Sequence, residues 1–419
     1  MFKSKVVGFL FFALLFILLD VYTWQGVRVL IKHSDNWVKK LVAIIYWGYS
    51  VALVVFMGLM RSSKLDLNPI TLRFIAGFIF SIFIVKLLWV IFLLLDDGIR
   101  VVKWFWFDIR ANSNISGFES QANGGISRSK FITYLGLGFG ALFFGSAVWG
   151  VFKGAHNYVI RKRKLKLKNL PKSFEGLKIV QISDIHSGSF WDRDAVIKGV
   201  ELINKQNPDM VFFTGDLVND TAKEAHPWID VFKKIKAPLG VFSILGNHDY
   251  GDYVIWDNPK EKLKNMEMMY QNHKALGWNL LLDENRVIEK NGEKIAIIGV
   301  QNWSEKGRFP KYGDLNKAME GLSQDISTKL LLSHDPSHWK AQVVGKTDID
   351  ATFSGHTHGM QFGIDSKFYR WSPVKYLYKE WIDLYTENYQ HLYVNRGFGY
   401  LGYPGRMGIY PEITVFTLA

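Results

Sequence analysis

The sequence predicts an α/β sandwich preceded by a helical transmembrane region of about four spans. Three observations carry that prediction. Hydropathy falls sharply near residue 153 of the 419-residue chain, with long apolar runs before it and mixed sequence after it. Past Pro171, short β-rich runs alternate with helical stretches, the pattern of strands with helices packed on them. Polar segments rich in Asp, Asn and His follow several of these runs: SDIH at Ser183, TGDLVND at Thr214, GNHD at Gly246 and GHTHG at Gly355.

The membrane region, 1–152, contains apolar runs at 6–19, 41–60, 74–95 and 131–152. The last three have the roughly 20 residues needed to cross a bilayer core. The first is shorter and follows Lys3 and Lys5, like a signal-peptide core. Asp20-Val21-Tyr22-Thr23-Trp24 offers no small-residue cleavage site, so this run is read as a retained anchor continuing toward Val27. Lys86 is an isolated charge inside the third run. Such a charge faces a partner or a cavity, and a packing or interface role is expected here, without transport.

The net charge of +13 comes from the membrane-flanking parts. Residues 1–152 carry 15 basic and 7 acidic side chains, 153–172 carry 8 and none, and 173–419 carry 28 and 31. A domain built to neutralise a nucleic acid would show the opposite distribution, so nucleic acid is not an expected partner. The absence of cysteine removes disulfides and thiolate metal sites. Lys and Arg in the N-terminal tail and the second loop (Arg61, Lys64, Arg73) total 5, against 9 in the other two loops. The positive-inside rule then puts the catalytic half outside the cytoplasm. Counting the basic connector 153–172 reverses the balance, but RKRKLKLKNL within it alternates in its second part like a strand, so its charges belong either to the folded domain or to a juxtamembrane anchor.

In 173–419, strands are expected at 177–182, 210–213, 241–245, 294–300, 329–332, 349–353, 391–394 and 413–418, with a helix at 194–207. Asp184, Asp216 and Asn247 are 32 and 31 residues apart, about one βαβ unit, which returns all three to one edge of the sheet. Asp184 and His186 flank one residue, so extended chain directs both side chains the same way. Asp216 offers a carboxylate able to bridge two cations through its two oxygens. Asn247 adds a neutral oxygen, and His334, His356 and His358 add imidazoles suited to Zn, Fe, Mn or similar ions. Two of these seven groups are anionic. Two divalent ions there would stay about two units positive, which favours a phosphate ligand and an ionised water.

Taken in order, SDIH, GD, GNHD, the histidine of SHDP and GHTHG resemble the calcineurin-like metallophosphoesterases across 173–419. The resemblance implies a four-layer α/β/β/α sandwich and two divalent metal ions. Asp184, His186 and His358 would hold one ion and Asn247, His334 and His356 the other, with Asp216 bridging. His248 matches the family's catalytic histidine, stabilising the transition state or protonating the leaving oxygen, with Asp249 as its orienting partner. The implied reaction is in-line attack on phosphorus by a cation-activated water, without a covalent phospho-enzyme. The segment NRGFGYLGYPGRMGIYPEITVFTL further resembles a membrane-associated bacterial branch whose members are anchored or exported by the twin-arginine route. Ser127-Arg128-Ser129-Lys130-Phe131 looks like a degenerate, internal form of that signal lacking its second arginine.

Other conspicuous residues have competing readings. His156, His226, His338 and His391 fit no ligand position. Asn219 and Asp220 either support the bridging aspartate or cap a loop. The aromatic and basic segment 369–385 either lies at a membrane surface, holding an acyl chain over the metals, or packs as a loop over the sheet. Arg396 and Arg406 either reach a second phosphate or carboxylate or form structural ion pairs. The expected function is a membrane-bound phosphoesterase with two divalent ions, acting on a lipid-linked or cell-envelope phosphate ester or pyrophosphate. It would be a multi-pass inner-membrane protein with its catalytic domain on the extracytoplasmic side. A non-catalytic receptor retaining the fold would be signalled by loss of a ligand or of His248, and neither is lost. A transporter with a regulatory phosphoesterase domain would rest on Lys86 alone.

Overall fold

A computed structural model of the chain describes residues 2–61, 68–111, 128–307 and 309–419. Lys64 in the loop count and Ser127 in the arginine motif lie outside these residues. The chain divides into two compact units, Met1–Val148 and Trp149–Ala419.

The first unit is built on α1 (Phe2–Leu30), α2 (Asn36–Arg61), α3 (Pro69–Ala111) and α4 (Arg128–Phe152). All four are long and apolar enough to cross a membrane. The first continues unbroken through Asp20 and Trp24, as a retained anchor must. Lys86 of α3 is buried and ion-paired with Asp20 of α1, which fits the packing role. Its ammonium lies 5.2 Å from the Tyr46 ring centroid and 5.0 Å from that of Tyr49. The Tyr46 hydroxyl donates to the Asp20 carbonyl at 2.8 Å. Pairing the two charges with each other inside the bundle is what makes them tolerable in lipid.

The second unit contains β1 (Val159–Leu165), β2 (Lys178–Ile182), β3 (Met210–Phe213), β4 (Val241–Ser243), β5 (Asn279–Leu280), β6 (Glu284–Lys290) and β7 (Glu293–Gly299). It continues with β8 (Lys329–Leu332), β9 (Ala351–Ser354), β10 (Ile364–Asp365), β11 (Arg370–Trp371), β12 (Asp383–Glu387), β13 (Gln390–Val394) and β14 (Glu412–Leu418). Two six-stranded sheets run in the orders β1-β14-β2-β3-β4-β5 and β12-β13-β9-β8-β7-β6, and β10 and β11 form a ribbon. Strands β2 to β5 are mutually parallel, as are β7, β8, β9 and β13.

Side-chain alternation assigns the layers. Ile179, Phe212, Phe242, Ile297, Leu330 and Phe353 meet between the sheets. Val180, Val211 and Phe213 point the other way, onto Val196 and Val200 of α5 (Arg193–Asn204) and a set of helical segments around it. Ile298, Leu331 and Leu392 do the same on the second sheet, against Leu315, Trp339 and Val343. The result is the four-layer α/β/β/α sandwich.

Two differences from the sequence reading have local causes. The helix expected to reach residue 207 ends at Asn204. Pro208 disfavours helical backbone at the residue before it, and Asn207 takes a left-handed φ of 48°. In the basic connector 153–172 the strand lies earlier than the alternation in the second part of RKRKLKLKNL suggested: β1 ends at Leu165 and pairs in parallel with β14. Arg161 there pairs with Asp365, and Arg163 with Asp383 at 2.9 Å, so these charges belong to the fold.

Candidate metal centre

The motifs follow the C-terminal ends of β2, β3, β4, β8 and β9, one edge shared by both sheets. Beyond the last paired residues the first two loops stay stitched together. The amide of Asp184 donates to the Gly215 carbonyl at 2.8 Å and that of His186 to the Asp216 carbonyl at 3.1 Å. Asp184, His186, Asp216, His356 and His358 all have φ between 48° and 69°. Non-glycine residues seldom adopt this conformation, and it persists only where surrounding bonds enforce it. The chain at Asp184 and His186 is therefore not extended as the sequence reading assumed, and left-handed turns rather than strand alternation bring the two side chains to the site. Gly355 permits a close approach, because a Cβ there would meet the Ser183 Oγ at 1.9 Å and the Asp184 Oδ2 at 2.2 Å.

The side chains gather into two groups, Asp184 with His186 and His358, and Asp216 with His334 and His356. In the first, His358 Nε2 is 3.2 Å from Asp184 Oδ1 and 3.0 Å from His186 Nε2. In the second, His356 Nδ1 is 2.8 Å from Asn247 Oδ1 and 3.3 Å from His334 Nε2. Asp216 Oδ2 stands between the groups, 3.5 Å from His186 Nε2 and 3.1 Å from His334 Nε2. Its Oδ1 is occupied by the His248 amide at 2.9 Å. The link between the groups is therefore one oxygen, where the sequence suggested two.

The donor set fits cations. His186 Nδ1 is 3.1 Å from the Val218 carbonyl and His334 Nδ1 is 2.7 Å from the Thr214 carbonyl. Each Nδ1 must carry hydrogen, which points the Nε2 lone pair of the neutral ring into the site. His356 is turned over, presenting Nδ1 while its Nε2 meets the Tyr378 hydroxyl at 3.0 Å. That hydroxyl donates to Asp335 Oδ2 at 3.0 Å. His358 differs again, since Arg406 Nη2 donates to its Nδ1 at 3.1 Å. Burial opposes a charge on His334, but the Asp216 and Asp184 carboxylates raise its pKa to about 10. Burial holds His186 and His356 below the usual imidazole range. Burial also opposes ionisation of Asp184 and Asp216, yet neighbouring imidazoles keep both well below the usual carboxylate range, His358 foremost for Asp184 and His334 for Asp216.

His248 lies beside this cluster, its ring 5.0 Å from that of His186. Its Nδ1 is 2.6 Å from the carbonyl of Asn219, which leaves Nε2 to exchange a proton with a bound substrate. Asp249 is not its orienting partner. Both oxygens of that buried carboxylate accept backbone amides instead, Oδ1 from Leu217 and Val218 and Oδ2 from Asp216 and Gly246. Burial and the nearby Asp216 push its carboxyl up to about 7 against the pull of those amides. Asp249 thus shapes the turn that presents Asp216. Asn219 and Asp220 do not support the Asp216 side chain either; their amides donate to Glu224.

Arg396 is buried in a structural network with Glu412 at 2.6 Å and Asp365 at 3.0 Å. Arg406, also buried, donates to the Gly399 carbonyl besides His358. His338 bonds to Ser333 and Gln342, and His391 to Thr386 and the Lys166 carbonyl. The segment 369–385 is divided: Val374, Tyr378, Trp381 and Ile382 pack together, while Tyr369, Tyr376 and Leu377 are exposed. Tyr378 and Asp335 escaped the sequence reading; only the position of Asp335 next to a ligand histidine signalled either.

Two family profiles match the chain, "Calcineurin-like phosphoesterase" over residues 177–360 and "Probable Calcineurin-like phosphoesterase, transmembrane domain" over 6–155. The UDP-2,3-diacylglucosamine pyrophosphatase LpxG of Chlamydia trachomatis is 30% identical over 55% of this chain and 81% of its own length. The chain is a calcineurin-like phosphoesterase. Other relatives of this phosphoesterase are the uncharacterized metallophosphoesterase YkuE of Bacillus subtilis and the transmembrane protein with metallophosphoesterase domain of Danio rerio. The first is 29% identical over 70% of this chain and 98% of its own length. The second is 27% identical over 65% of this chain, which spans 60% of that relative. The phosphoesterase is accordingly a metal-dependent hydrolase of phosphate esters, attached to a membrane by four apolar helices.

Proposed function

We propose that the protein binds two divalent ions and hydrolyses a lipid-linked or cell-envelope phosphate ester or pyrophosphate at an inner membrane. The observation that carries this reading is the single oxygen, Asp216 Oδ2, between two groups of ligands. One carboxylate oxygen shared in this way suits a dinuclear centre. When bound, such ions polarise a phosphoryl group and make water nucleophilic at neutral pH. The chain's residues do the rest: the carbonyl-bound histidines hold fixed tautomers, the Asn219 carbonyl aims His248, and His248 Nε2 gives a proton to the leaving oxygen.

The lipid-linked part of the proposal is supported by the membrane helices and by the relative named for a pyrophosphatase of UDP-2,3-diacylglucosamine. We place the catalytic domain outside the cytoplasm, on the loop charges of 5 against 9 and on the incorporation of the chain from Val159 onward into the fold as β1, which leaves Lys153 alone to add to the smaller count. A nucleotide-linked substrate would require the opposite face. Reporter fusions at Ala419, one active only after export and one fluorescent only in the cytoplasm, distinguish the two.

The activity test is turnover of a monoester, a diester and a lipid pyrophosphate by the full chain with Mn, Fe, Zn or Mg. Metal-dependent turnover lost in Asp216→Asn and His248→Ala is expected. Two bound ions with no turnover of any of these substrates would overturn the enzymatic reading.

A further inference from the structure

Beside the metal centre lies a groove of about 870 Å³, within the range of small-molecule sites. Segments after β7, β8 and β11 contribute Lys306, Lys340, Lys346, Lys375 and Lys379 to its lining. Against the two glutamates also present, Glu305 and Glu380, these five lysines give it three net positive charges. That concentration stands out in a region, 173–419, where acidic residues outnumber basic ones by 31 to 28.

Two of the five lysines are engaged, Lys340 with Glu387 and Lys346 with the Ala341 carbonyl, while Glu305 is drawn to Lys311 at 3.5 Å. Among the described residues, Lys306, Lys346, Lys375 and Lys379 have no carboxylate at ion-pair distance. Two of them rest on aromatic rings, Lys306 Nζ 5.3 Å from the Tyr378 centroid and Lys375 Nζ 5.2 Å from that of Tyr376. Tyr378 also joins the groove to the metal centre. It lines the groove, and its hydroxyl is 3.0 Å from His356 Nε2.

We infer that this groove is a subsite for a second phosphate-like anion of the substrate. The preferred substrate then carries two anionic groups, one at the metal centre and one among the lysines. Several mobile ammonium groups around one cavity suit a phosphate, which accepts charge-assisted hydrogen bonds from many directions. This rests on the proposed phosphoesterase activity for the first anion. The same chemistry is offered by anionic headgroups of bilayer lipids, and the experiment separates the two sources.

The full chain in neutral detergent with Mn is assayed on p-nitrophenyl phosphate and on an alkyl diphosphate, beside Lys375→Ala/Lys379→Ala and Lys375→Arg/Lys379→Arg. The alanine pair should raise the KM for the diphosphate about tenfold relative to that for the monophosphate, and the arginine pair should largely restore it. An equal change on both substrates overturns the subsite. So does an effect confined to nanodiscs containing phosphatidylglycerol, which would assign the lysines to bilayer headgroups. If neither substrate is turned over, the proposed activity fails, and calorimetry with inorganic pyrophosphate on chelator-treated protein reads the groove by itself. Binding weakened about tenfold or more by the alanine pair upholds the subsite, and unchanged binding overturns it.

Discussion

At the scale of single residues, the centre depends on which atom each side chain has left to offer. With Nδ1 of His248 on the Asn219 carbonyl, His248→Ala should lower kcat by about 10²- to 10⁴-fold while metal content, measured by elemental analysis, stays at the wild-type level. His334 makes a pH prediction. Its raised pKa of about 10 keeps the metal-free ring protonated at pH 8, whereas an ion needs the bare Nε2. Metal uptake at pH 8 should therefore release about one proton, and affinity should fall as pH drops. Calorimetry in buffers of different ionisation heat checks both. Arg396→Met should cost about 3 kcal/mol in denaturant unfolding, since it removes the nearer of the two guanidinium groups at buried Glu412 and leaves Arg161 at 3.6 Å. The ligand types and their order were legible in the sequence because chemistry restricts them to Asp, Asn and His. The partner of His248 was not, since it is a backbone carbonyl and any residue supplies one. The choice of one Asp216 oxygen was equally hidden, because it depends on a left-handed turn and on an amide of the next motif, that of His248.

At the scale of elements, apolar strands were visible wherever burial on both faces left a continuous apolar run, as in β3 and β8, whose bounds match the expected ones. The edge strand β6, ENRVIEK, was missed because exposure along most of its length removes that signal. In the membrane unit, the ion pair between α1 and α3 makes Lys86 and Asp20 interdependent. Asp20→Leu alone should lower the thermal midpoint in detergent strongly, by an amount equivalent to about 3 to 5 kcal/mol. Asp20→Leu with Lys86→Met should recover most of it, because no unpaired charge remains. A double-variant midpoint no higher than that of Asp20→Leu would show that the pair is not the source of the loss.

At the scale of the whole molecule, the sandwich and the membrane helices were both legible because each leaves a periodic or continuous apolar pattern. The groove of lysines was not, since its members come from three segments 73 residues apart at their extremes, Lys306 to Lys379. The strand order adds a constraint on the life history of the protein. β14 lies between β1 and β2, so the first sheet cannot close until β14 has been synthesised. By then all four apolar helices have left the ribosome. Threading of the polypeptide through a translocation channel can thus be complete while the hydrolase is still an open chain, and the enzyme acquires its metals only on the side of the membrane where it finally folds.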